Sequence, residues 1–515
     1  MNLLTLVLGI PLAGFLILLV LPRENHELIR RVALLVSIAA FVLSLGLISP
    51  VWQAPPGSYT LEVDAPWITT PRIHYHVGID GISLWLVLLS TLLTPVCVLI
   101  SWRSIASKVK AFFAFLLLLE FGLIGVFVSL DLFLFYVFWE VSLVPMYFLI
   151  GVWGHERRIY AAVKFFLYTM VGSLLMLVGI IWLYNRTGTF DLPAILAMIS
   201  DGRLNLTYAE QIPLFLAFFL AFAIKVPVFP LHTWLPDAHV EAPSAGSVML
   251  ASVMLKMGTY GLVRFCLPLF PLASRACAPW IITLAIIGII YGALVAMVQP
   301  NMKKLVAYSS VSHLGFVVLG IFSFTQIGID GAVYQMLNHG VSTGALFVLV
   351  GYMYDRRHSL EIADYGGVAT VAPWLSTAFL ITMLASIGLP TLNNFIGEYL
   401  VLQGAAQENF TWAIFAAIGV ILSACYMLWL YQRVFFGDTP EAVASHMSDL
   451  RIREVAAMVP LIVLMVWMGM ASQTFLPSIG ASTAAVIERT EAVKEIRVES
   501  GTSILAKVKE IWHAR

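Results

Sequence analysis

Long apolar runs follow one another along most of the chain, separated by short polar stretches. A helix crosses the hydrocarbon layer of a bilayer with about 20 apolar residues, because each residue advances it by about 1.5 Å. The pattern therefore predicts an all-α polytopic membrane protein with about 14 transmembrane helices. These helices are expected near residues 2–21, 30–49, 82–101, 111–130, 132–151, 160–184, 211–241, 244–266, 278–299, 303–324, 328–354, 373–402, 409–436 and 453–475.

Two of the predicted spans contain helix-breaking residues. Pro227 follows Lys225 inside the seventh span, and Gly388 with Pro390 interrupts the twelfth. Proline removes a backbone donor and clashes with the preceding turn, so each span is expected to be a broken helix. Non-helical backbone at membrane depth persists only where it is buried in protein or lines a wet cavity. Interruptions in corresponding places of two halves are typical of structural repeats with a site between them.

The chain is therefore expected to contain two inverted five-helix repeats, each with a broken helix. A loop rich in proline and glycine before the third span is expected outside the membrane and predicts a hairpin. The apolar face of the C-terminal tail is expected to lie on the bilayer or on a partner chain, with a frayed end as the alternative. The predicted segments are an N-terminal three-helix segment (1–110) with an outside loop at 50–80, a first repeat (111–266), a second repeat (278–436), a last transmembrane helix (453–475) and an amphipathic tail (476–515).

The distribution of basic residues gives the expected orientation. Connections on one side carry most of the arginines and lysines, and such connections lie in the cytoplasm. Because the predicted number of spans is even, both termini are expected outside. The opposite side carries only five basic residues before the C-terminal tail: Arg72, Arg186, Arg203, Arg264 and Arg275.

The composition excludes several classes of function. Of the residues, 60% are hydrophobic and 11% are charged, whereas soluble domains carry about 25% charged residues. The formal net charge of zero argues against a nucleic-acid partner. The four cysteines, Cys97, Cys266, Cys277 and Cys425, lack ligand spacing, and no glycine-rich nucleotide-binding string follows a plausible strand. No metal, NAD or ATP is therefore expected on this chain.

Ionisable residues inside the apolar runs are the candidate functional residues. Lys225 lies at the first break, Lys256 in the next span, and Glu140 deep in the fifth span. A lysine at the centre of a span costs roughly 2.5–3.5 kcal/mol on insertion scales, so its retention indicates a function. Glu140 and Lys225 are expected to form a buried pair whose opening and closing changes the proton affinity of the lysine. A static ion pair, or a lysine stem that reaches the membrane interface, is the alternative.

Polar residues of the tenth and eleventh spans continue this line. Tyr334 and Asn338 share one stripe of the eleventh span with His339 beside them, and His313 lies in the tenth. An imidazole relays protons near neutral pH because its pKa is about 6.5. Glu398, about two turns beyond the second break, is expected to end the line and to pass protons outside. Interhelical hydrogen bonds alone, or a haem held between the two histidines, are the alternatives.

Four further residues have less defined expected roles. Glu120 lies mid-span and is expected to pair across helices or to contact a neighbouring subunit. Lys164 lies near a cytoplasmic helix end, where its stem can reach the interface. His232 and His239 are seven residues apart beside two carboxylates, but no further ligand completes a tetrahedral metal site. Capping and gating of the broken helix is their expected role.

Three long strings resemble the antiporter-like subunits of respiratory complex I: LFYVFWEVSLVPMYFLIGVWG, KVPVFPLHTWLPDAHVEAPSAGSVMLASVMLKMGTYGLVRF and NMKKLVAYSSVSHLGF. The resemblance covers essentially all predicted spans and implies a membrane-arm subunit that moves protons. It implies that Glu140 is the fifth-helix glutamate, Lys225 the broken-helix lysine and Lys256 the connecting lysine. Most relatives have lysine at the second break. Glutamate there, Glu398, favours complex I over a stand-alone antiporter.

The same resemblance implies the partners of the chain. NAD, FMN, iron–sulfur clusters and quinone are expected on other subunits of a proton-translocating NADH:quinone oxidoreductase, with no cofactor on this chain. Antiporter-like neighbours are expected on both sides, in the inner membrane of a bacterial cell. The alternatives are a subunit of a multi-subunit Na⁺/H⁺ antiporter, or of a related hydrogenase or ferredoxin-driven quinone reductase. A structural spacer would leave the buried charges unexplained.

Overall fold

The computed structural model describes residues 2–499, with side chains described to residue 491. Within this part, 13 helices are long and apolar enough to cross a membrane. The helices in chain order are α1 (Leu3–Val20), α2 (His26–Leu45), α3 (Ile48–Gln53), α4 (Gly81–Ser104), α5 (Val109–Val128), α6 (Leu132–Trp153), α7 (Arg158–Thr187), α8 (Leu192–Ser200), α9 (Tyr208–Lys225), α10 (Trp234–Glu241), α11 (Ser244–Leu269), α12 (Pro271–Met297), α13 (Met302–Phe322), α14 (Gln326–Arg357), α15 (Val368–Val371), α16 (Pro373–Ser386), α17 (Asn393–Glu408), α18 (Phe410–Phe435), α19 (Glu441–His446), α20 (Ile452–Met470) and α21 (Leu476–Glu499). The strands β1 (Thr60–Ile68) and β2 (Ile73–Ile79) pair antiparallel.

Both predicted helix breaks are present. Helix α9 ends at Lys225, and α10 begins only at Trp234 after a non-helical segment. Helices α16 and α17 are separated by a turn in which Gly388 has φ +75° and Thr391 has φ +82°. Glycine adopts positive φ without a steric penalty, so Gly388 allows the helix to end and a turn to form here. Helices α16 and α17 are the two short halves of the twelfth predicted span, and with the 13 long helices they complete the predicted set of fourteen.

The two halves of the chain share a local signature. Asp131 caps the N-terminus of α6, and Asn301 caps the N-terminus of α13, each by accepting two backbone N–H groups. Each cap residue also forms an isolated bridge, Asp131 with Asp191 and Asn301 with Glu361. Five spans lie between the two caps, so the caps lie on opposite faces of the membrane. This arrangement supports the predicted inverted repeats, whose boundaries stay a prediction.

The helix pairs α14–α17, α13–α14 and α12–α13 pack closely in the second half, and α4 lies against α14. Helices α11 and α14 are buried along their whole most apolar windows. These two helices therefore form the centre of the molecule, and polar side chains on them are shielded from lipid by the surrounding spans.

The C-terminal region differs from its prediction. The last span ends at Met470 rather than at residue 475, and α21 follows it. The described part of helix α21 packs on this chain: Ser482 Oγ accepts the Gly81 N–H at 2.9 Å, and the Trp85 indole donates to Ser478 Oγ at 2.9 Å. The predicted apolar face at residues 504–512 lies outside the described residues. The predicted hairpin of the outside loop is confirmed.

Candidate functional site

Lys256 lies at the centre of the molecule with its side chain fully buried. A π turn (Leu250–Met254) widens α11 directly before it, a feature that recurs at functional sites. The Lys256 ammonium donates to the carbonyl of Ala251 at 2.6 Å, and Nζ lies 2.7 Å from His339 Nδ1 on α14. The amine is therefore in direct hydrogen-bond contact with an imidazole.

The line continues from His339 through a second histidine to a carboxylate. The rings of His339 and His313 lie with their centroids 5.9 Å apart. His313 Nδ1 lies 2.8 Å from Glu398 Oε1, and the Gln335 amide donates to the same oxygen at 3.1 Å. All five of these side chains, counting Lys256, are buried. The structure therefore brings together Lys256, His339, His313 and Glu398, as the sequence predicts.

The contacts of the histidine ring nitrogens disfavour the haem alternative. His339 Nδ1 contacts Lys256, and His313 Nδ1 contacts Glu398. The remaining nitrogen of His313 lies 3.4 Å from the Tyr426 hydroxyl. An axial haem ligand needs a ring nitrogen free to bind iron, and His313 has both of its nitrogens facing protein partners.

Polar atoms without protein partners surround this line. His339 Nε2, Asn338 Oδ1, Asn393 Oδ1 and Asn394 Oδ1 are buried and have no hydrogen-bond partner among the described residues. Buried polar groups are nearly always satisfied by protein or by ordered water. These atoms therefore mark positions for internal water between α14 and α17.

Tyr334 does not join the line, contrary to the predicted stripe. Its hydroxyl donates to the carbonyl of Met468 on α20 at 2.6 Å. Asn338, one turn away, instead donates to Gln335, which in turn contacts Glu398. The sequence spacing places Tyr334 and Asn338 on one face of α14, but a helix face is wide enough to contact both α17 and α20.

The expected pair of Glu140 and Lys225 is not in direct contact. Lys225 Nζ and Glu140 Oε1 have no hydrogen-bond partner among the side chains that the structure describes. Lys225 instead lies over two aromatic rings, 5.4 Å from the centroid of Trp139 and 5.2 Å from that of Phe165. The charges of Lys225 and Glu140 are close enough to interact electrostatically. Aromatic rings, rather than the Glu140 carboxylate, are the direct neighbours of the Lys225 ammonium.

Comparison with known proteins decides the family. Residues 129–424 match the family described as NADH:quinone oxidoreductase/Mrp antiporter, transmembrane. The NADH-quinone oxidoreductase subunit M of Rhodobacter capsulatus is 44% identical over 502 residues, which cover 95% of this chain and 97% of the relative.

This chain belongs to the NADH-quinone oxidoreductase subunit M family.

Solved structures agree with this membership of the subunit M family. A chain of the respiratory complex I from Thermus thermophilus with bound NADH superposes with a TM-score of 0.86 at 33% identity, covering 95% of this chain and 99% of that one. A chain of the Mrp complex from Dietzia sp. DQ12-45-1b superposes with a TM-score of 0.80 at 20% identity, which shows a shared fold alone. The resemblance found in the sequence is thereby confirmed.

In this subunit M family member, the first broken helix is tied to its neighbours by polar contacts. The Lys164 ammonium bonds to Asp237 at 2.7 Å and to the Thr233 carbonyl at 2.9 Å. The ring of His232 lies against Phe229 and both its nitrogens lack a partner among the described groups. Pro227 lies in the non-helical segment before it. The polar contacts of Lys164 hold α10 against α7. The predicted capping role of His232 and His239 is wrong: the N-terminus of α10 has no side-chain cap, and the ring nitrogens of both histidines lack a hydrogen-bond partner among the described residues.

His239 and Glu120 are buried more deeply than expected. His239 stacks on Phe347 with centroids 4.5 Å apart, and neither ring nitrogen has a hydrogen-bond partner among the described residues. Glu120 is fully enclosed within this chain. The prediction that Glu120 contacts a neighbouring subunit is therefore wrong, because its carboxylate points into the interior near Cys97.

The acidic and histidine residues around the first break do not form a common site. Glu241 accepts the backbone N–H of Arg157 at 2.9 Å, while Asp237 binds Lys164. Pro390 is exposed in the second break, where its role is to end α16 rather than to contact the buried line.

Two buried basic residues were missed as site candidates in the sequence. Lys303 is only 4% exposed and donates to the carbonyl of Ala242 at 2.5 Å. Arg264 forms a buried ion pair with Asp80 at 2.7 Å. Both lie at ends of predicted spans, where basic residues ordinarily indicate orientation. A signal was present for Arg264, since it is one of the few basic residues on the side predicted to lie outside.

Proposed function

We propose that this chain is the proton-translocating membrane-arm subunit of an NADH:quinone oxidoreductase. The redox chemistry takes place on other subunits of that complex, and no redox site is assigned to this chain. The observation that carries the proposal is the buried contact line from Lys256 through His339 and His313 to Glu398. A chain of ionisable residues within the membrane, each next to the following one in space, is typical of proton relays.

A proton moves along the line by successive transfers between neighbouring groups. The Lys256 ammonium gives a proton to His339 Nδ1 over 2.7 Å. The resulting imidazolium gives its other proton from Nε2 toward His313, with internal water bridging the gap. His313 then protonates Glu398 over 2.8 Å, from which the proton leaves to the outside. Imidazole suits this role because its two nitrogens can accept and release protons at different positions.

Lys225 and Glu140 control the supply end of the line. Helix α9 packs closely on α11 here, since a Cβ at Gly258 would lie 3.1 Å from the Cβ of Lys225. Lys225 is fully buried and has only aromatic rings and the distant charge of Glu140 to stabilise its ammonium. A rearrangement that moves Glu140 toward or away from Lys225 therefore changes how firmly the lysine holds its proton. Redox events elsewhere in the complex drive that rearrangement.

The proposal includes location and orientation. The chain lies in the inner membrane of a bacterial cell beside further antiporter-like subunits. Its N-terminus is outside, because connections rich in arginine and lysine lie in the cytoplasm. Residues 111–266 and 278–436 are the two inverted repeats, one carrying Lys225 and Lys256 and the other carrying His313, His339 and Glu398.

The substitution His313→Gln tests the relay. Glutamine retains an amide donor toward Glu398 but cannot carry an additional proton, so we expect an assembled complex with normal NADH oxidation and fewer protons pumped per NADH. The measurement is dye-detected acidification of vesicles containing the purified complex. His446→Gln, at an exposed position, is the matched control. Pumping at the native ratio in an assembled His313→Gln complex would contradict the proposed path.

A further inference from the structure

A cavity on the face proposed to be cytoplasmic lies beside Lys303, at the start of α13. It has a volume of about 100 Å³ and is lined by His155, Ser244, Lys303, Gly351, Tyr354 and Asp355, among other residues. It adjoins a wider groove of about 770 Å³, which shares Tyr354 and Asp355 in its wall. One water needs about 10–15 Å³ of such volume, so the inner cavity holds several.

Lys303 forms the buried floor of this cavity. Its ammonium donates to the carbonyl of Ala242 at 2.5 Å and lies 3.5 Å from that of Val240, at the end of α10. The carboxylates of Glu241 and Asp355 lie within electrostatic range. Burial, together with the charge of Lys303, lowers the pKa of His155 to about 4, so His155 is neutral at physiological pH.

His239 lies between Lys303 and Lys256. It is fully buried on α10, within electrostatic range of both lysines. Both nitrogens of its ring lack a hydrogen-bond partner among the described residues, as does the buried hydroxyl of Ser252 on α11. Buried polar groups that lack protein partners are usually hydrogen-bonded to ordered water. We therefore expect water beside the His239 ring.

Glycines of α14 leave room for hydroxyl groups along the same route. A Cβ at Gly351 would lie 2.4 Å from Ser244 Oγ, which lines the cavity. A Cβ at Gly344 would lie 2.4 Å from Ser252 Oγ. The hydroxyls of Ser244 and Ser252 on α11 therefore face glycines of α14, the first at the cavity and the second one helical turn before Lys256.

We infer that Lys303 and His239 form a cytoplasmic uptake branch that delivers protons to Lys256. A proton from water in the cavity is taken up by the Lys303 amine, and the ammonium passes one proton through bridging water to one nitrogen of His239. The imidazolium releases the proton of its other nitrogen toward the neutral amine of Lys256. The branch rests on the proposed function, because it supplies the same line. A purely structural reading makes Lys303 a cap of α10 and His239 a packing residue.

Two substitutions separate these readings. Lys303→Arg keeps a cation that donates to the carbonyls of α10 but does not release its proton, since the guanidinium pKa is above 12. His239→Phe keeps the ring that stacks on Phe347 but removes both nitrogens. In vesicles containing the purified complex, we expect each to lower the protons pumped per NADH as far as Lys256→Met does, with assembly retained on native gels. Lys304→Arg, the neighbouring residue outside the cavity lining, is the control.

Each outcome decides one question. Native pumping by assembled Lys303→Arg or His239→Phe overturns the branch and leaves the structural reading, while loss of pumping by Lys256→Met in the same series still supports the main line. Native pumping by Lys256→Met instead contradicts the proposed function itself. If Lys303→Arg prevents assembly, His239→Phe decides the branch alone.

Discussion

Replacement of Lys256 by methionine removes the amine that begins the contact line while nearly keeping the side-chain volume. The Lys256 ammonium has two partners, the carbonyl of Ala251 and Nδ1 of His339. A buried polar atom that loses its partner costs about 1–3 kcal/mol, so leaving both unpaired costs about 2–6 kcal/mol. Removing a lysine from the centre of a span recovers about 2.5–3.5 kcal/mol.

The net change in folding free energy of Lys256→Met therefore lies between a gain of about 1.5 and a loss of about 3.5 kcal/mol. A subunit embedded in a large complex tolerates a change of this size, and we expect full assembly. Proton movement through the line is expected to stop, because thioether sulfur carries no exchangeable proton. The effect on pumping is thus much larger than the effect on stability.

The assay for Lys256→Met is the ratio of protons moved to NADH oxidised in vesicles containing the purified complex. A pH-sensitive dye reports the lumen, and NADH absorbance reports electron flow. Lys304→Met gives the same chemical change outside the line and should keep the native ratio. A native ratio in a fully assembled Lys256→Met complex would refute the assignment of this lysine to the path.

Three further predictions concern the buried Asp80–Arg264 pair, the hairpin and the second break. Asp80→Asn leaves the buried Arg264 guanidinium without its countercharge, so we expect a loss of about 3–5 kcal/mol in thermal unfolding of the complex. Burial opposes protonation of His76, but its hydrogen bond to Asp191 and the charge of Asp191 outweigh it and raise the pKa of His76. The charged pair therefore stabilises the hairpin fully below about pH 6.5 and weakens as the pH rises through the raised pKa, so His76→Gln should flatten the pH dependence of the unfolding temperature. Gly469→Ala would place a Cβ 2.2 Å from backbone of the second break, and we expect a lower unfolding temperature from the displaced helix.

Clear results would contradict each of these three predictions. An unfolding temperature of Asp80→Asn equal to the native value would show that the hydroxyls of Tyr260 and Tyr59, which also accept from Arg264, suffice to stabilise its charge. An unchanged pH profile for His76→Gln would remove the hairpin pair as its cause. Native stability of Gly469→Ala would show that α20 moves without cost.

The sequence predicts the breaks and spans well because their signals are local. Proline beside Lys225 and glycine at Gly388 act on their own helices, and the length of an apolar run determines whether it spans the bilayer. The line from Lys256 to Glu398 was also predictable, because an ionisable residue in the middle of an apolar span is rare and easily recognised in the sequence. Its members are polar residues in otherwise apolar spans.

The remaining features depend on contacts between distant parts of the chain. The docking of α21 uses Ser478 and Ser482 against Trp85 and Gly81, which lie far apart in sequence. The Lys225 ammonium lies over the ring of Trp139 instead of contacting Glu140. The sequence pattern does not predict the orientation of that ring. Lys303 was interpreted only as an orientation signal, because a basic residue at a helix end is ordinarily exposed. Its burial follows from the position of α10.

Helix α21 contacts α4 of the N-terminal segment, α8 and α11 of the first half, and α12 and α14 of the second. Its polar contacts include Thr483 with Asp330 and Arg275 with Glu491. Because one helix contacts both halves, a movement of one half against the other would break several of these contacts at once. We therefore expect this subunit to work by rearrangement of side chains and internal water, with the two halves fixed relative to each other.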